Sequence, residues 1–264
     1  MALSAVIFLS LTGLVAGVLA GFLGIGGGTL LVPVLVQLGF VPVQATATSS
    51  LAILVTSGAG SLQNWRMGFL DVRQVLLLAA PAVITAFLAA FVGDRIPPSL
   101  LLLGFGLLLL LNLYLVSLKK RVIRTAEFRE GRTASTGPAI HPVMARIVTG
   151  AIAGFMAGLF GVGGGVILVP LQILLLGESI KTAVRTSLGV IVITSVSAVA
   201  GHAINGNINL AAGLILGLGG LIGVQVSTRF LPKLSDRTIT QLFRVMLVAL
   251  SAYVFWQAWQ IYSD

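Results

Sequence analysis

The sequence predicts an all-α integral membrane protein made of two inverted-topology repeats. Each repeat has about five hydrophobic segments, the second short or broken at a glycine-rich turn. Three observations lead there. First, the 264 residues are 57% hydrophobic with a mean hydropathy of +1.08, and only 9% are charged. That leaves too little polar surface for a water-soluble chain of this size, and apolar runs near the roughly 20 residues needed to span a bilayer recur throughout. Second, a glycine stretch occurs twice. Gly24-Ile25-Gly26-Gly27-Gly28, followed by Leu31-Val32-Pro33, returns as Gly161-Val162-Gly163-Gly164-Gly165, followed by Leu168-Val169-Pro170. At this offset of 137, residues 13–33 and 150–170 share 12 of 21 positions, which marks a tandem duplication. Third, the basic residues cluster in the loops that an odd number of crossings per half would place on one side.

In chain order, the first segment covers about 3–23. It has no basic residues ahead of it, as a secretory signal would, and its counterpart at about 143–160 is internal. A structural helix is therefore expected. The second segment, about 27–38, enters from the glycine stretch and contains Pro33. At ~1.5 Å per residue it reaches only about 18 Å, half a membrane. Segments at about 44–62, 72–93 and 99–118 complete a repeat over 1–118. Residues 119–142 form a basic, hydrophilic linker. The second repeat, 143–264, holds segments at about 143–160, 164–176, 182–200, 210–230 and 238–260, and its short member contains Pro170. Short or broken helices at matching positions of two halves are the usual pointer to a transporter's binding site.

Charge placement gives the orientation. With the 119–142 linker in the cytoplasm and five crossings per half, fourteen of the sixteen Lys and Arg residues lie inside, and only Arg95 lies outside. Four crossings per half would instead put Lys181, Arg229, Lys233 and Arg237 outside, against the positive-inside rule. The expectation is a multi-pass protein of the cell (inner) membrane, inverted between halves, with both termini extracytoplasmic. The net charge of +9 is then an excess of cytoplasmic Lys and Arg, and no nucleic-acid partner is expected. Gly13, Gly17 and Gly21, and likewise Gly150, Gly154 and Gly158, are spaced by four, as helices packed closely in lipid require.

The chemistry-bearing candidates are also repeated. The glycine runs lack a following Lys-Ser/Thr and a βαβ setting, so they are not nucleotide loops. As tight turns before a short helix they expose backbone N–H groups at the positive end of a helix dipole, which suits an anion. Gly26, Gly27, Gly28, Gly163, Gly164 and Gly165 are the backbone candidates. At the same offset, Thr46-Ala47-Thr48-Ser49-Ser50-Leu51 corresponds to Ala183-Val184-Arg185-Thr186-Ser187-Leu188. Ser49, Ser50, Thr186 and Ser187 supply hydroxyls that alternatively cap their helices. Arg185 is a cation whose cost near a membrane helix start calls for an anion, a partner or the interface. At the next loop one extra residue shifts the offset to 138, making Asn64 and His202 equivalents. They are candidates for gating or proton relay, or in the case of His202 for a hydrogen-bonded structural role. There is no cysteine, and no cofactor or metal is expected.

The twin glycine motifs, the Ser49-Ser50-Leu51 and Thr186-Ser187-Leu188 elements, and the loops at Trp65-Arg66 and His202 to Asn207 resemble the sulfite exporter TauE/SafE family over nearly the whole chain. The resemblance implies a transporter, and an exporter, of small sulfur-containing anions such as sulfite, thiosulfate or organosulfonates. The chain's partners would be that anion and the lipid bilayer, with a homodimer allowed. Thr48 stands opposite Arg185 in this alignment, so only one half offers a cationic ligand. The alternatives are a passive anion channel, a carrier of another small organic anion such as a carboxylate, and a membrane enzyme or assembly factor. The last has no clustered intramembrane carboxylates in its favour.

Overall fold

The computed structural model describes residues 3–93, 95–127 and 141–263. They form ten α-helices: α1 (Leu3–Leu23), α2 (Gly28–Gln37), α3 (Pro42–Arg66), α4 (Val72–Gly93), α5 (Pro98–Glu127), α6 (Pro142–Phe160), α7 (Gly165–Leu175), α8 (Ile180–Ile204), α9 (Leu210–Phe230) and α10 (Asp236–Ser263). A single 3₁₀ turn, Leu231–Lys233, joins the last two. Seven of the helices are long and apolar enough to cross a bilayer, so this is an all-α, multi-pass membrane protein. The two short helices fall where expected. α3 matches the long ones in length, but a run of Thr and Ser in its first half lowers its hydropathy.

Local chemistry explains the helix starts. Pro42 opens α3, where a missing N–H costs nothing. Ser179 Oγ accepts from Thr182 N (3.1 Å), Asn209 Oδ1 from Ala212 N (3.0 Å), and Ser235 Oγ from Thr238 N (3.1 Å). α2 and α7 have no such cap. Each follows a left-handed glycine instead, Gly27 at φ 88° and Gly164 at φ 73°, a backbone shape that a β-carbon would strain.

Two differences from the sequence reading stand out. α5 does not stop at 118 but continues to Glu127, so the first part of the basic segment is helical; residues 128–140 lie outside the described residues. The register shift also comes earlier. Gly24, Gly26 and Gly27 repeat as Gly161, Gly163 and Gly164 at offset 137, whereas Gly39 and Gly68 repeat as Gly177 and Gly206 at offset 138, all with positive φ. The extra residue therefore belongs to α7, which has 11 residues against 10 in α2.

Glycine contacts give the helix directions. A β-carbon on Gly13, Gly17 or Gly21 would strike Leu216 O, Gly220 O or Ser227 Oγ in turn, so α1 and α9 run parallel with backbones in contact. Gly150, Gly154 and Gly158 meet Leu78 O, Ala82 O and Ala86 O in the same way, so α6 runs parallel to α4. Gly213 and Gly217 pack on Leu51 and Val55, aligning α9 with α3, and Gly189 and Gly201 pack on Val75 and Ala90, aligning α8 with α4. Gly24, at the end of α1, lies on Ser187 at the start of α8. The group α1, α3, α9 thus runs opposite to the group α4, α6, α8. α5 and α10 pack together beside the short helices, burying Phe105, Phe243, Leu247 and Val254. Apolar side chains such as Ile7, Leu11, Ile84, Leu88, Leu218 and Ile222 remain exposed on the outside, as lipid contact requires.

Candidate functional site

The two glycine turns meet. A β-carbon on Gly28 would collide with Gly161 O and come within 2.7 Å of Val162 Cα, and one on Gly165 would collide with Gly24 O and come within 2.8 Å of Ile25 Cα. Gly26 and Gly163 both lie against Ile53 of α3 and Ile191 of α8. The turns therefore pack on each other where α3 crosses α8, and every residue of both is buried. Because α2 and α7 leave the junction in opposite directions, their N-termini converge on it. Leu30 N and Leu31 N donate to Gly27 O, as Ile167 N and Leu168 N do to Gly164 O. The amides ahead of them have no carbonyl within their own helix. Two positive helix ends thus face one buried place.

Hydroxyls stitch the turns to the opposite half. Ser49 Oγ lies 2.8 Å from Gly161 O and 2.9 Å from Thr46 O, and Ser187 Oγ lies 2.7 Å from Gly24 O and 2.8 Å from Val184 O. Each hydroxyl shares its one proton between a carbonyl of its own helix and a carbonyl of the other half's turn. Ser50 Oγ donates to Thr46 O (2.9 Å) within α3. In this conformation the three serines bind backbone and offer no free donor.

These contacts also correct the pairing of the halves. Ser49 does for Gly161 what Ser187 does for Gly24, so the structural equivalents here are 138 apart. Thr48 stands opposite Thr186, and the counterpart of Arg185 is Ala47, not Thr48. The asymmetry in charge remains, one position away from where the sequence put it.

Arg185 and Thr186 lie apart from the glycine junction, at the end where α8 begins. The half-buried Arg185 guanidinium stacks on the Phe69 ring, 3.8 Å from its centroid, and its Nε has no hydrogen-bond partner among the described residues. Thr186 Oγ1 donates to Gln74 Oε1 (3.5 Å), and Gln74 Nε2 donates to Glu178 Oε1 (2.7 Å). This second cluster joins the α3–α4 turn and the start of α4 to the start of α8. At the opposite end, Thr48 Oγ1 accepts from Asn209 N (3.1 Å) with no basic residue beside it.

Asn64 and His202 are both fully buried near the ends of α3 and α8. His202 Nε2 lies 3.1 Å from Gly158 O, an acceptor, so Nε2 carries the proton of that bond. The Asn64 amide has no hydrogen-bond partner among the described residues. Four buried or clustered residues were not among the sequence-based candidates. Phe69 and Gln74 gave no signal there, while Ser57 and its equivalent Ser195 were detectable only once the offset of 138 was applied.

Comparison with known proteins fits this architecture. The sequence profile described as Sulfite exporter TauE/SafE matches residues 9–254. The "Probable membrane transporter protein YunE" of Bacillus subtilis is 26% identical, with 95% of this chain and 97% of the relative covered. A "Probable membrane transporter protein" of Xylella fastidiosa (strain Temecula1) is 28% identical over 94% of each chain. The "Probable membrane transporter protein YjnA" of Bacillus subtilis is 29% identical over 84% of this chain and 91% of its own.

Proposed function

The chain belongs to the sulfite exporter TauE/SafE family and is a membrane transporter, not an enzyme, and from that premise we propose that it is a secondary transporter exporting small sulfur-containing oxyanions by alternating access. The observation that carries this reading is the convergence of the α2 and α7 N-termini on the buried contact between the two glycine turns. Two helix ends of like polarity facing each other in low dielectric repel, and an anion between them removes that cost. No Lys, Arg, Asp or Glu is fully buried among the described residues, so no fixed charge competes for the place.

Helix directions support two inverted repeats. α1 and its counterpart α6 run in opposite directions, as do α3 and α8, and α4 and α9. With 119–142 in the cytoplasm, the charge distribution puts Arg66, Arg73, Lys181 and Arg185 on the inner side and both termini outside, in the inner membrane. Arg185 then stands at the cytoplasmic mouth, where a cation attracts the anion before it reaches the glycine junction. The junction is closed, held by Ser49 on Gly161 and Ser187 on Gly24. Rocking the group α1, α3 and α9, which draws on both repeats, against the group α4, α6 and α8 breaks these bonds in turn, exposes the amides of Gly26, Gly27 and Gly28 or of Gly163, Gly164 and Gly165, and frees the two hydroxyls to bind the anion.

The test is flux in proteoliposomes with labelled sulfite, thiosulfate and methanesulfonate, with chloride and acetate as controls. Saturable flux of the sulfur oxyanions that accelerates when the same anion is present on the far side supports the carrier. Non-saturating flux of all the anions would make the protein a channel and remove alternating access.

A further inference from the structure

Two serines in the core have hydroxyls that the fold leaves unused. Ser57 and Ser195 are fully buried, at 0% and 1% exposure, and neither Oγ has a hydrogen-bond partner among the described residues. A hydroxyl inside a membrane helix ordinarily donates to the carbonyl three or four residues back. Their chain neighbours do so: Thr56 Oγ1 donates to Ala52 O (2.9 Å) and Thr194 Oγ1 to Ile191 O (3.2 Å). Burying an unpaired hydroxyl costs about 1–3 kcal/mol. Here the cost is carried twice, at positions 138 apart, which is the structural equivalence of the two halves.

Their placement gives the reason. Ser57 lies one helical turn past Ile53, and a β-carbon built on Gly26 would sit 2.9 Å from Ile53 Cγ2, 3.2 Å from Ile191 Cγ2 and 3.3 Å from Ser57 Oγ. The Ser57 hydroxyl is therefore aimed at the glycine turn that opens α2. Ser195 lies one turn past Ile191, which packs on the Gly163 turn that opens α7. Because α3 and α8 run in opposite directions, the two hydroxyls lie on opposite sides of the Ile53 and Ile191 contact.

Resting on the transport reading above, we propose that Ser57 with the Gly26 turn, and Ser195 with the Gly163 turn, are two equivalent oxyanion stations on either side of an Ile53–Ile191 plug. Each station offers a hydroxyl and the leading amides of a half-helix, which are neutral donors, against apolar walls. It contains no Lys or Arg. The desolvation cost of an ion rises with the square of its charge, and a full countercharge is what would offset it. The stations therefore bind singly charged oxyanions, hydrogensulfite and sulfonates, more tightly than dianions such as thiosulfate and sulfate. Arg185, outside them, attracts both kinds, dianions the more strongly, so the selection for single charge belongs to the stations.

Binding to purified protein in detergent, measured by calorimetry with methanesulfonate and with sulfate, tests this together with flux in vesicles. Methanesulfonate is expected to bind at least about tenfold more tightly than sulfate. Ser57→Ala and Ser195→Ala should each weaken it about tenfold, the cost of a lost hydrogen bond to a charged group. The ligand-free variants should melt at or above the wild-type temperature, since each loses an unpaired buried hydroxyl. A purely structural serine would not combine weaker binding with retained stability. Ser57→Cys, similar in volume but a weaker donor, should fall between wild type and Ser57→Ala. Wild-type protein that moves methanesulfonate while both alanine variants keep its affinity overturns the stations alone. Equal or tighter binding of sulfate overturns the charge selection. Wild-type protein that neither binds nor moves any of these anions overturns the transport reading beneath them.

Discussion

Ser49 of α3 places its hydroxyl 2.8 Å from the carbonyl of Gly161, 112 positions further along the chain. The equivalent bond, Ser187 to Gly24, closes the other side of the same junction at 2.7 Å. Each glycine carbonyl ends a long helix of one repeat, and each serine lies about two turns into a helix of the other. The two bonds therefore fasten the halves where the short helices start.

Removing either serine hydroxyl should loosen this fastening without dismantling the fold. Ser49→Ala or Ser187→Ala leaves a buried carbonyl without its donor, at a cost of about 1–3 kcal/mol. Thermal unfolding in detergent should show a lowered midpoint for each. The double variant should lose less than the sum, because opening one side already relaxes the other. Additive losses would mean that the two bonds report on independent contacts.

The helix-packing glycines allow a sharper contrast. A β-carbon on Gly17 collides with Gly220 O, and one on Gly154 with Ala82 O, both rigid backbone. Gly58 has nothing within 4 Å of its added β-carbon. Gly17→Ala and Gly154→Ala should push paired helices apart, cost about 3 kcal/mol or more, and reduce the yield of folded protein. Gly58→Ala should be neutral or stabilising by up to about 1 kcal/mol, through helix propensity alone. Size-exclusion profiles and melting points compare the three directly.

These contrasts show how much of the fold was legible in the sequence. Long apolar runs, glycines spaced by four and the glycine turns ahead of the two short segments each carry a local physical signature, and all ten helices overlap the segments those signatures mark. The register between halves was not legible, because the extra residue sits inside the apolar run of α7, where Val, Ile and Leu offer no landmark. In the first turns of α3 and α8, Thr and Ser are frequent enough to align at either offset. Only the positive-φ pairs Gly39 with Gly177 and Gly68 with Gly206, and the two serine–carbonyl bonds, fix the pairing. The glycine turns were identified as a pair, but their direct contact depends on how α3 and α8 cross, which no local pattern encodes.

Arg185 should matter for transport and little for folding. Its guanidinium is stacked on Phe69, its Nε has no hydrogen-bond partner among the described residues, and it is half-buried near the start of α8. Arg185→Gln is expected to reduce anion flux in vesicles at least about tenfold while shifting the melting point by no more than a few degrees. Arg185→Lys should recover part of the flux, because an ammonium keeps the charge but loses the planar stack. Phe69→Ala, which releases the guanidinium, should raise the KM for flux more than it lowers the maximal rate. Wild-type flux in Arg185→Gln would remove this residue from the anion's path.

His202 differs from its counterpart Asn64 in being the one that can titrate. Its Nε2 donates to Gly158 O at 3.1 Å, joining α8 to the end of α6 within the same half. That bond needs only the neutral ring, and it secures the helix that leads into the Gly161 turn. His202→Ala is expected to lower stability by about 1–3 kcal/mol through the unpaired carbonyl. His202→Asn, copying the residue at position 64, should recover part of that loss. Flux measured from about pH 5.5 to 8, the range in which an ordinary histidine titrates, should keep the wild-type pH profile in His202→Asn at a uniformly altered rate. A profile that flattens in this variant alone would instead assign His202 to proton relay, with Asn64 as the inert member of the pair.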